Sequence, residues 1–481
     1  MALYLLNFFK LKYVCLIFCF SAYYVQAITV EEGIKQVLST HPVVQERLKN
    51  YRATVQDLKI ANSAYFPKLD LISSVGRART KSRVTAFNRE DYNFYENSLI
   101  LTQNLFAGFS TVNQVDFQEQ RILAAANNYI EKSNDVALGL VNVYIQVLLN
   151  KELLVTAKEN ILNNQQIFKK VQVLYENGHT TASEVEKIQS SLALAESNFV
   201  VQENNLMDAR FNLQRVLGYL PSVASLSKPS FDTQLPKTLK QAANIAILHN
   251  PSILTSNHNV NAAQLLHKER KHSYYPQVDF QLSHNLNDDS GTYGDIYGGK
   301  INETRAGITL TWNLFTGGAD RAKVQQQVSA INQEYQIRDE LRRQIVESLE
   351  LSWSAYTMVD KQLSLLIKYR DYSRSTLEHY EEEYDFGRRT LLDLLAAQND
   401  VVSAKNEIIT AQYNRLFAKY RIHDAMGTML VAVLGDDDTY LKKVGLDRDK
   451  TDAEQNVDSL PEEVNDTFMD YPTEWVNTQK Q

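Results

Sequence analysis

Apolar residues in this chain follow two rhythms, and each rhythm occurs twice. In 304–315, Ile308, Leu310, Trp312 and Leu314 alternate with Thr309, Thr311 and Asn313; in 97–106, Leu99, Leu101 and Leu105 fall on the matching face. A period of two with one apolar and one polar face predicts strands. Each has a partner strand opened by a proline, Pro67 or Pro276, across a polar loop at about 80–92 or 287–303. At about ten residues, the strands match tilted barrel staves. The second rhythm has a period of seven. Leu394, Val401 and Ile408 form one column, Leu395, Val402, Ile409 and Leu416 its neighbour, and Val185, Leu192 and Phe199 line up likewise. Such spacing predicts helices packed along coiled-coil seams. Long helices are expected over 111–176 and 319–386, turns at Gly178 and Gly387, and returning helices over 181–217 and 390–427. One helix over 111–176 would reach roughly 100 Å. Two adjacent columns suit a wall of helices, and an ordinary antiparallel coiled coil would show the same period.

The two sets are copies, 209 positions apart without a slip in register. His41-Pro42 returns as Asn250-Pro251, Tyr65-Phe66-Pro67 as Tyr274-Tyr275-Pro276, Gly178 as Gly387, and Gly218 as Gly427. One supersecondary unit has been doubled. The first repeat covers 28–218 and the second 238–427, each opening with a helix, 29–62 or 238–271. Between them 219–237, with Pro221, Pro229, Pro236 and four serines, reads as a linker. Residues 428–481 are assigned to a C-terminal tail, acidic from Asp436 on.

Composition sharpens this picture. No proline lies between Pro67 and Pro221 or between Pro276 and Pro461, which favours long helices. Residues 1–27 read as a signal peptide: Lys10 and Lys12, an apolar run Tyr13 to Phe20, and a small residue, Ala27, for cleavage. Both cysteines, Cys15 and Cys19, lie inside it, so a mature chain would have no disulfide or thiolate metal site. The formal charge of −7 sits in the tail, where 436–481 holds 13 acidic and 5 basic residues. No basic face suggests nucleic acid. The histidines lack metal spacing, His267 and His272 reading as a solvated helix end. No phosphate-binding glycine loop or catalytic triad is present, so no enzyme and no cofactor are expected. Beyond residue 27 no run of 18 apolar residues occurs, so a membrane crossing would need strands in a closed barrel. Four strands cannot close one, and the chain is expected to share a barrel with copies of itself.

Three runs carry a family resemblance: Leu101-Thr102-Gln103-Asn104-Leu105-Phe106-Ala107-Gly108, its copy Leu310 to Gly318, and Tyr384 to Gln398 (YDFGRRTLLDLLAAQ). With the doubled order of strands and hairpins, about residues 29–430 resemble the TolC family of outer-membrane channel proteins. The resemblance implies a mainly α fold with a membrane β-barrel. Duplicated strand–strand–long helical hairpin units would form a trimeric 12-stranded barrel plus a periplasmic α-helical tunnel. It implies a homotrimer in the outer membrane of a Gram-negative bacterium, in contact with its lipid. A periplasmic adaptor and an inner-membrane ABC or proton-driven transporter would be its partners.

The resemblance also places a gate at the periplasmic tip, where the hairpins turn at 177–184 and 386–393. Tyr384 and Arg389 match residues that tie the second hairpin to the first, and Ser183 and Glu184 match their partners. Asp393 matches a constricting acidic ring; a second acidic layer is missing because Ala396 stands in its place. Gly178 and Gly387, helix terminators in themselves, would lie beside the adaptor contact. Thr181-Ala182-Ser183-Glu184 and Thr390-Leu391-Leu392-Asp393 equally fit capping boxes, and capping and gating are compatible. Arg388 to Leu395 and Ile422 to Gly427 look like the branch serving type I protein secretion. Multidrug or small-molecule efflux is the alternative. A periplasmic coiled-coil scaffold and an open diffusion porin fit less of the pattern.

Overall fold

A computed structural model describes residues 28–435 except 82, 84, 232 and 291–298. The signal peptide, the acidic tail from Asp436 and the glycine-rich part of the second loop lie outside the described residues. The chain divides into two compact units, one holding 28–34 and Val143–Ser230, the other Lys35–Asn142 and the chain from Phe231 on.

The larger unit carries the strands. β1 (Lys68–Thr80), β2 (Glu90–Ala107), β3 (Gln277–Ser290) and β4 (Gly299–Thr311) form one antiparallel sheet in sequential order. The β2–β3 pairing joins the two sequence copies, with Leu101 opposite Leu282 and a register shift between Asn104 and Phe106. The strands run longer than ten residues, and the first polar loop shrinks accordingly. β2 begins at Glu90 and β4 stops at Thr311, so Trp312 and Leu314 lie past its end. One face carries Leu69, Leu71, Leu99, Leu101, Leu282, Ile308 and Leu310; the other carries Ser74, Ser98, Gln281, Ser283, Asn285 and Thr309. Across that polar face Ser98 Oγ donates to Asn285 Oδ1 at 2.7 Å.

Each single opening helix is in fact two. α1 (Val30–Thr40) and α2 (Pro42–Ser63) break at His41-Pro42, and α5 (Leu239–His249) and α6 (Pro251–Arg270) at Asn250-Pro251. Proline suits the first turn of a helix and pushes the residue before it into extended backbone, and His41 and Asn250 have ψ of 128° and 122°. The second break is fastened in place: Asn250 Oδ1 accepts from the Ser252 amide at 2.9 Å, and its Nδ2 donates to the Ala425 carbonyl at 3.0 Å. Around it Ala242, Ala246, Ile253, Leu349, Ile422 and Met426 form a buried cluster.

The long helices are α3 (Ser110–Glu176), α4 (Ala182–Leu217), α7 (Ala319–Asp385) and α8 (Leu391–Ala425). In α8, Leu394, Leu395 and Ile408 are buried as the heptad columns require. In α4 the buried column is Ile188, Ala195 and Ala209, while Val185, Leu192 and Phe199 are half-buried. The shift is three residues, about one helical turn, so the seam keeps its face. An 18-residue window of α3 has a mean hydropathy of 1.4, enough by length and composition for a membrane span. This helix also carries Ala137, Leu140, Val141, Tyr144 and Ile145, all buried.

The linker is anchored at several points. In the smaller unit Val223–Ser225 form a 3-10 turn, Ile28 bridges Leu226 in parallel, and the Tyr144 hydroxyl lies 2.7 and 2.6 Å from the Ile28 and Ser227 carbonyls. In the larger unit Phe231 stacks on Tyr420 at 4.1 Å and its carbonyl accepts from Lys419 Nζ at 2.7 Å. The start of the assigned tail is also ordered. Met429–Leu434 form a short helix, α9, with Met429 and Leu430 buried, and only the chain from Asp436 is acidic.

Gly427 tests the tightness of the α5–α6 break. Its φ is +72°, and an added Cβ would stand 2.7 Å from the His249 carbonyl oxygen. Gly178 has a φ of +74° with open space around it. Gly178→Ala should cost about 1 kcal/mol for the left-handed backbone alone. Gly427→Ala should lower the thermal midpoint of the purified protein distinctly further; equal shifts would contradict the close approach.

Candidate functional site

Both hairpin tips are built by the same backbone device. At the second, Gly387 has a φ of +69°; its amide donates to the Tyr384 carbonyl at 2.9 Å and the Arg388 amide to the Glu383 carbonyl at 2.8 Å. At the first, Gly178 and His179 donate to the Tyr175 and Leu174 carbonyls at 2.9 and 2.8 Å. This pair of bonds around a left-handed residue closes a helix end. Glycine is used because other residues pay for that φ.

The return helices start differently. At α8 a capping box forms: Thr390 Oγ1 accepts from the Asp393 amide at 3.3 Å, and Asp393 Oδ2 accepts from the Thr390 amide and hydroxyl at 3.3 and 2.8 Å. At α4 the expected box is not made. Thr181 makes no side-chain cap; its hydroxyl pairs with Ser183 Oγ at 2.8 Å, and Glu184 accepts from the Thr180 hydroxyl. The aspartate at the third position reaches straight back to its cap. Glu184 turns instead to the Thr180 hydroxyl, although a glutamate at the same position makes a full box at the start of α1, where Thr29 and Glu32 exchange side-chain bonds at 3.1 Å.

Around Asp393 the charges are local. Arg389 Nε donates to Glu383 Oε2 at 2.6 Å, and its guanidinium lies 4.3 Å from the Tyr380 ring centroid. Hydrogen bonds from the Thr390 hydroxyl and amide hold the Asp393 carboxyl below its ordinary range, and Arg389 adds to the effect. Tyr384 is buried, whereas Phe386 and Leu392 are exposed beside the turn. Sequence reading named Arg389 and missed Glu383 and Tyr380. The signal was the acidic run Glu381-Glu382-Glu383 facing Arg388-Arg389 across a glycine. Thus Thr390 meets Asp393 and Arg389 meets Glu383 in one compact unit, and Ser183 and Glu184 lie on the hairpin of the other.

The run Ile422 to Gly427 is packed into the fold. Ile422, Ala425 and Met426 are core, His423 meets the Phe231 ring edge-on at 5.2 Å, and Gly427 turns the chain. Burial pushes His423 down to about 4. Among the described residues no group of three or more His, Cys, Asp or Glu is arranged to hold a metal ion.

Comparison with known proteins agrees with this architecture. Residues 33–219 and 242–428 match the family model described as "Outer membrane efflux protein". The two spans start 209 positions apart, the offset of the repeat. Outer membrane efflux protein BepC of Brucella suis biovar 1 (strain 1330) is 24% identical over 381 residues, 79% of this chain and 81% of that protein. Outer membrane protein TolC of Escherichia coli (strain K12) is 22% identical over 418 residues, 84% of this chain and 83% of its own. Proteases secretion protein PrtF of Dickeya chrysanthemi is 23% identical over 312 residues, 60% of this chain and 66% of its own. The crystal structure of CusC superposes with a TM-score of 0.74 at 15% identity, covering 82% of this chain and 91% of that one. The shared fold is that of outer-membrane channels, a strand barrel continued by a helical tunnel.

The capping geometry makes two predictions. Thr390→Ala should cost the start of α8 about 1 kcal/mol, seen as faster amide exchange in its first turn, and Thr181→Ala should leave the first turn of α4 nearly unchanged. Because the folded-state pKa of Asp393 is depressed, its contribution is present above the unfolded value of 3.8 and lost as pH falls through the folded one. Protection of that turn should therefore fall only at acid pH, and Asp393→Asn should abolish this acid limb.

Proposed function

We propose a function that proceeds from one fact: the chain belongs to the outer membrane efflux protein family. Its members are channels, not enzymes. They stand in the outer membrane of Gram-negative bacteria with a large periplasmic portion and work in tripartite systems with adaptors and inner-membrane transporters. Within that frame we infer that this chain is one third of a trimeric duct, gated at its periplasmic tip, and that its cargo is protein exported by a type I route.

The observation that carries the duct is the sheet. β1 and β4 are its two edges, and its apolar face is exposed. Open edges are not tolerated in hydrocarbon, so copies must pair edge to edge. Two copies would give eight strands, a barrel whose interior side chains fill. Three give twelve and leave a lumen lined by the polar face.

For the gate, the family resemblance supports Tyr384 and Arg389 as ties from the second hairpin to Ser183 and Glu184 of the first, with Asp393 lining the constriction. Threefold symmetry would then set three carboxylates around one axis and attract cations. Exposed ion pairs are individually worth about 0–1 kcal/mol, so a few of them can hold a tip closed and still release. Gly178 and Gly387 with exposed Phe386 and Leu392 supply the adaptor-contact surface. For the cargo, support comes from the run Arg388 to Leu395 and from a relative named for protease secretion. Small-molecule efflux is the second reading, favoured by a relative named as an efflux protein.

Tyr384→Phe with Arg389→Ser should raise single-channel conductance in planar bilayers, and Asp393→Asn should weaken block by divalent cations. Unchanged values would leave these residues as hairpin and capping residues only. A deletion strain should lose one or a few very large proteins from its surface and culture medium, restored by the intact gene. An unaltered proteome with raised drug or bile-salt sensitivity would overturn the protein cargo in favour of efflux.

A further inference from the structure

The apolar face of the sheet changes character at one end. Directly paired residues of an antiparallel sheet share a face. Leu69, Leu71 and Val75 on β1 pair with Leu101, Leu99 and Tyr95 on β2, and all six are on the apolar face. The next two side chains of β1 on that face are Arg77 and Arg79, opposite Asn93 and Asp91. Asp91 holds both: Arg79 Nε and Nη2 donate to its two oxygens at 2.6 and 3.0 Å, and Arg77 Nη2 donates at 3.3 Å. The arginine side chains remain 72% and 65% exposed. Each guanidinium has five donors in a fixed fork, and one carboxylate takes up only part of them and half the charge. Lys81, Arg83 and Arg89 follow, exposed in the β1–β2 loop, and no acidic residue lies between Arg77 and Arg89.

The position of this cluster follows from chain order. β1 comes from α2 and β2 runs into α3, so the β1–β2 loop is at the sheet end away from the helices. With the helices periplasmic, that end faces outward. About ten tilted residues cross the hydrocarbon, and β1 has 13. Arg77 and Arg79 therefore stand at the upper edge of the lipid-facing band, at headgroup height. Their side of the wall faces lipid, so they cannot meet cargo in the lumen.

We propose that Arg77 and Arg79, oriented by Asp91, form a site for the phosphate groups of an outer-leaflet glycolipid, whose acyl chains lie along Val75, Leu71 and Tyr95. Arginine forks match phosphate oxygens in paired charge-assisted hydrogen bonds. Asp91 holds the two forks toward the same patch and leaves the cluster cationic. The site rests on the barrel reading of the sheet and is independent of gate and cargo.

The test uses the full-length protein in neutral detergent, with binding of purified lipopolysaccharide measured by thermophoresis. The comparators are the same lipid after enzymatic dephosphorylation and inorganic phosphate alone. Arg77→Gln with Arg79→Gln should weaken lipopolysaccharide binding by about tenfold or more, the loss of at least one charge-assisted bond. Dephosphorylated lipid should bind wild type and variant alike and more weakly. Equal affinity of wild type and double variant, undiminished binding of dephosphorylated lipid, or full competition by inorganic phosphate would each overturn the site. Should the double variant fail to assemble, Arg77→Gln alone decides, with about a threefold weakening expected and no change overturning the site. Failure of the wild type to form heat-modifiable oligomers in outer membranes would instead count against the barrel itself.

Discussion

A backbone amide or carbonyl left without a partner in hydrocarbon costs several kcal/mol, and this chain presents two rows of them along β1 and β4. Four strands with an apolar outer face and a polar inner face have no stable existence alone in a bilayer. Edge pairing with further copies removes the cost and creates the lumen. The other large features follow from that closure. Once copies stand side by side, the helices that continue from the strands stand side by side as well. The long helices carry exposed apolar residues, such as Leu351, Leu365 and Tyr372. An interior face carrying Ser98, Gln281, Ser283 and Asn285 suits a water-filled channel.

The doubled unit keeps its punctuation more strictly than its side chains. Gly178 and Gly387 make the same pair of turn bonds, and the Pro42 and Pro251 breaks recur. At the tips the copies diverge. The second makes a full capping box and pairs Arg389 with Glu383, whereas the first sends Glu184 to Thr180. Arg389, Asp393 and Glu184, proposed for the gate, therefore have local partners already.

Much of the architecture was legible in the residues. The period-two run through Ile308 and Leu310 and the period-seven columns through Leu394 and Leu395 marked strands and hairpins, and the repeat offset fixed the order. The runs 101–108 and 384–398 carried the family, which the matched spans then showed. What escaped was set by tertiary context. The helices over 29–62 and 238–271 broke because Pro42 and Pro251 disfavour helical backbone just before them, although the surrounding pattern is helical. The anchoring of the linker escaped because its fasteners, Tyr144 and Lys419, lie far away in sequence. The Thr181 box looked equal to the Thr390 box by pattern, yet Thr181 pairs with Ser183 and Glu184 with Thr180. The packing of the run Ile422 to Gly427 against Phe231 and the α5–α6 break also depends on residues far away in sequence.

Edge pairing among copies is the claim on which the duct, its lumen and its outer rim all depend. Native mass spectrometry of the complex extracted from outer membranes tests it most directly. The account predicts three copies of the chain and hence a twelve-stranded barrel. A complex of one or two copies would contradict it, because neither four nor eight strands can enclose an open lumen.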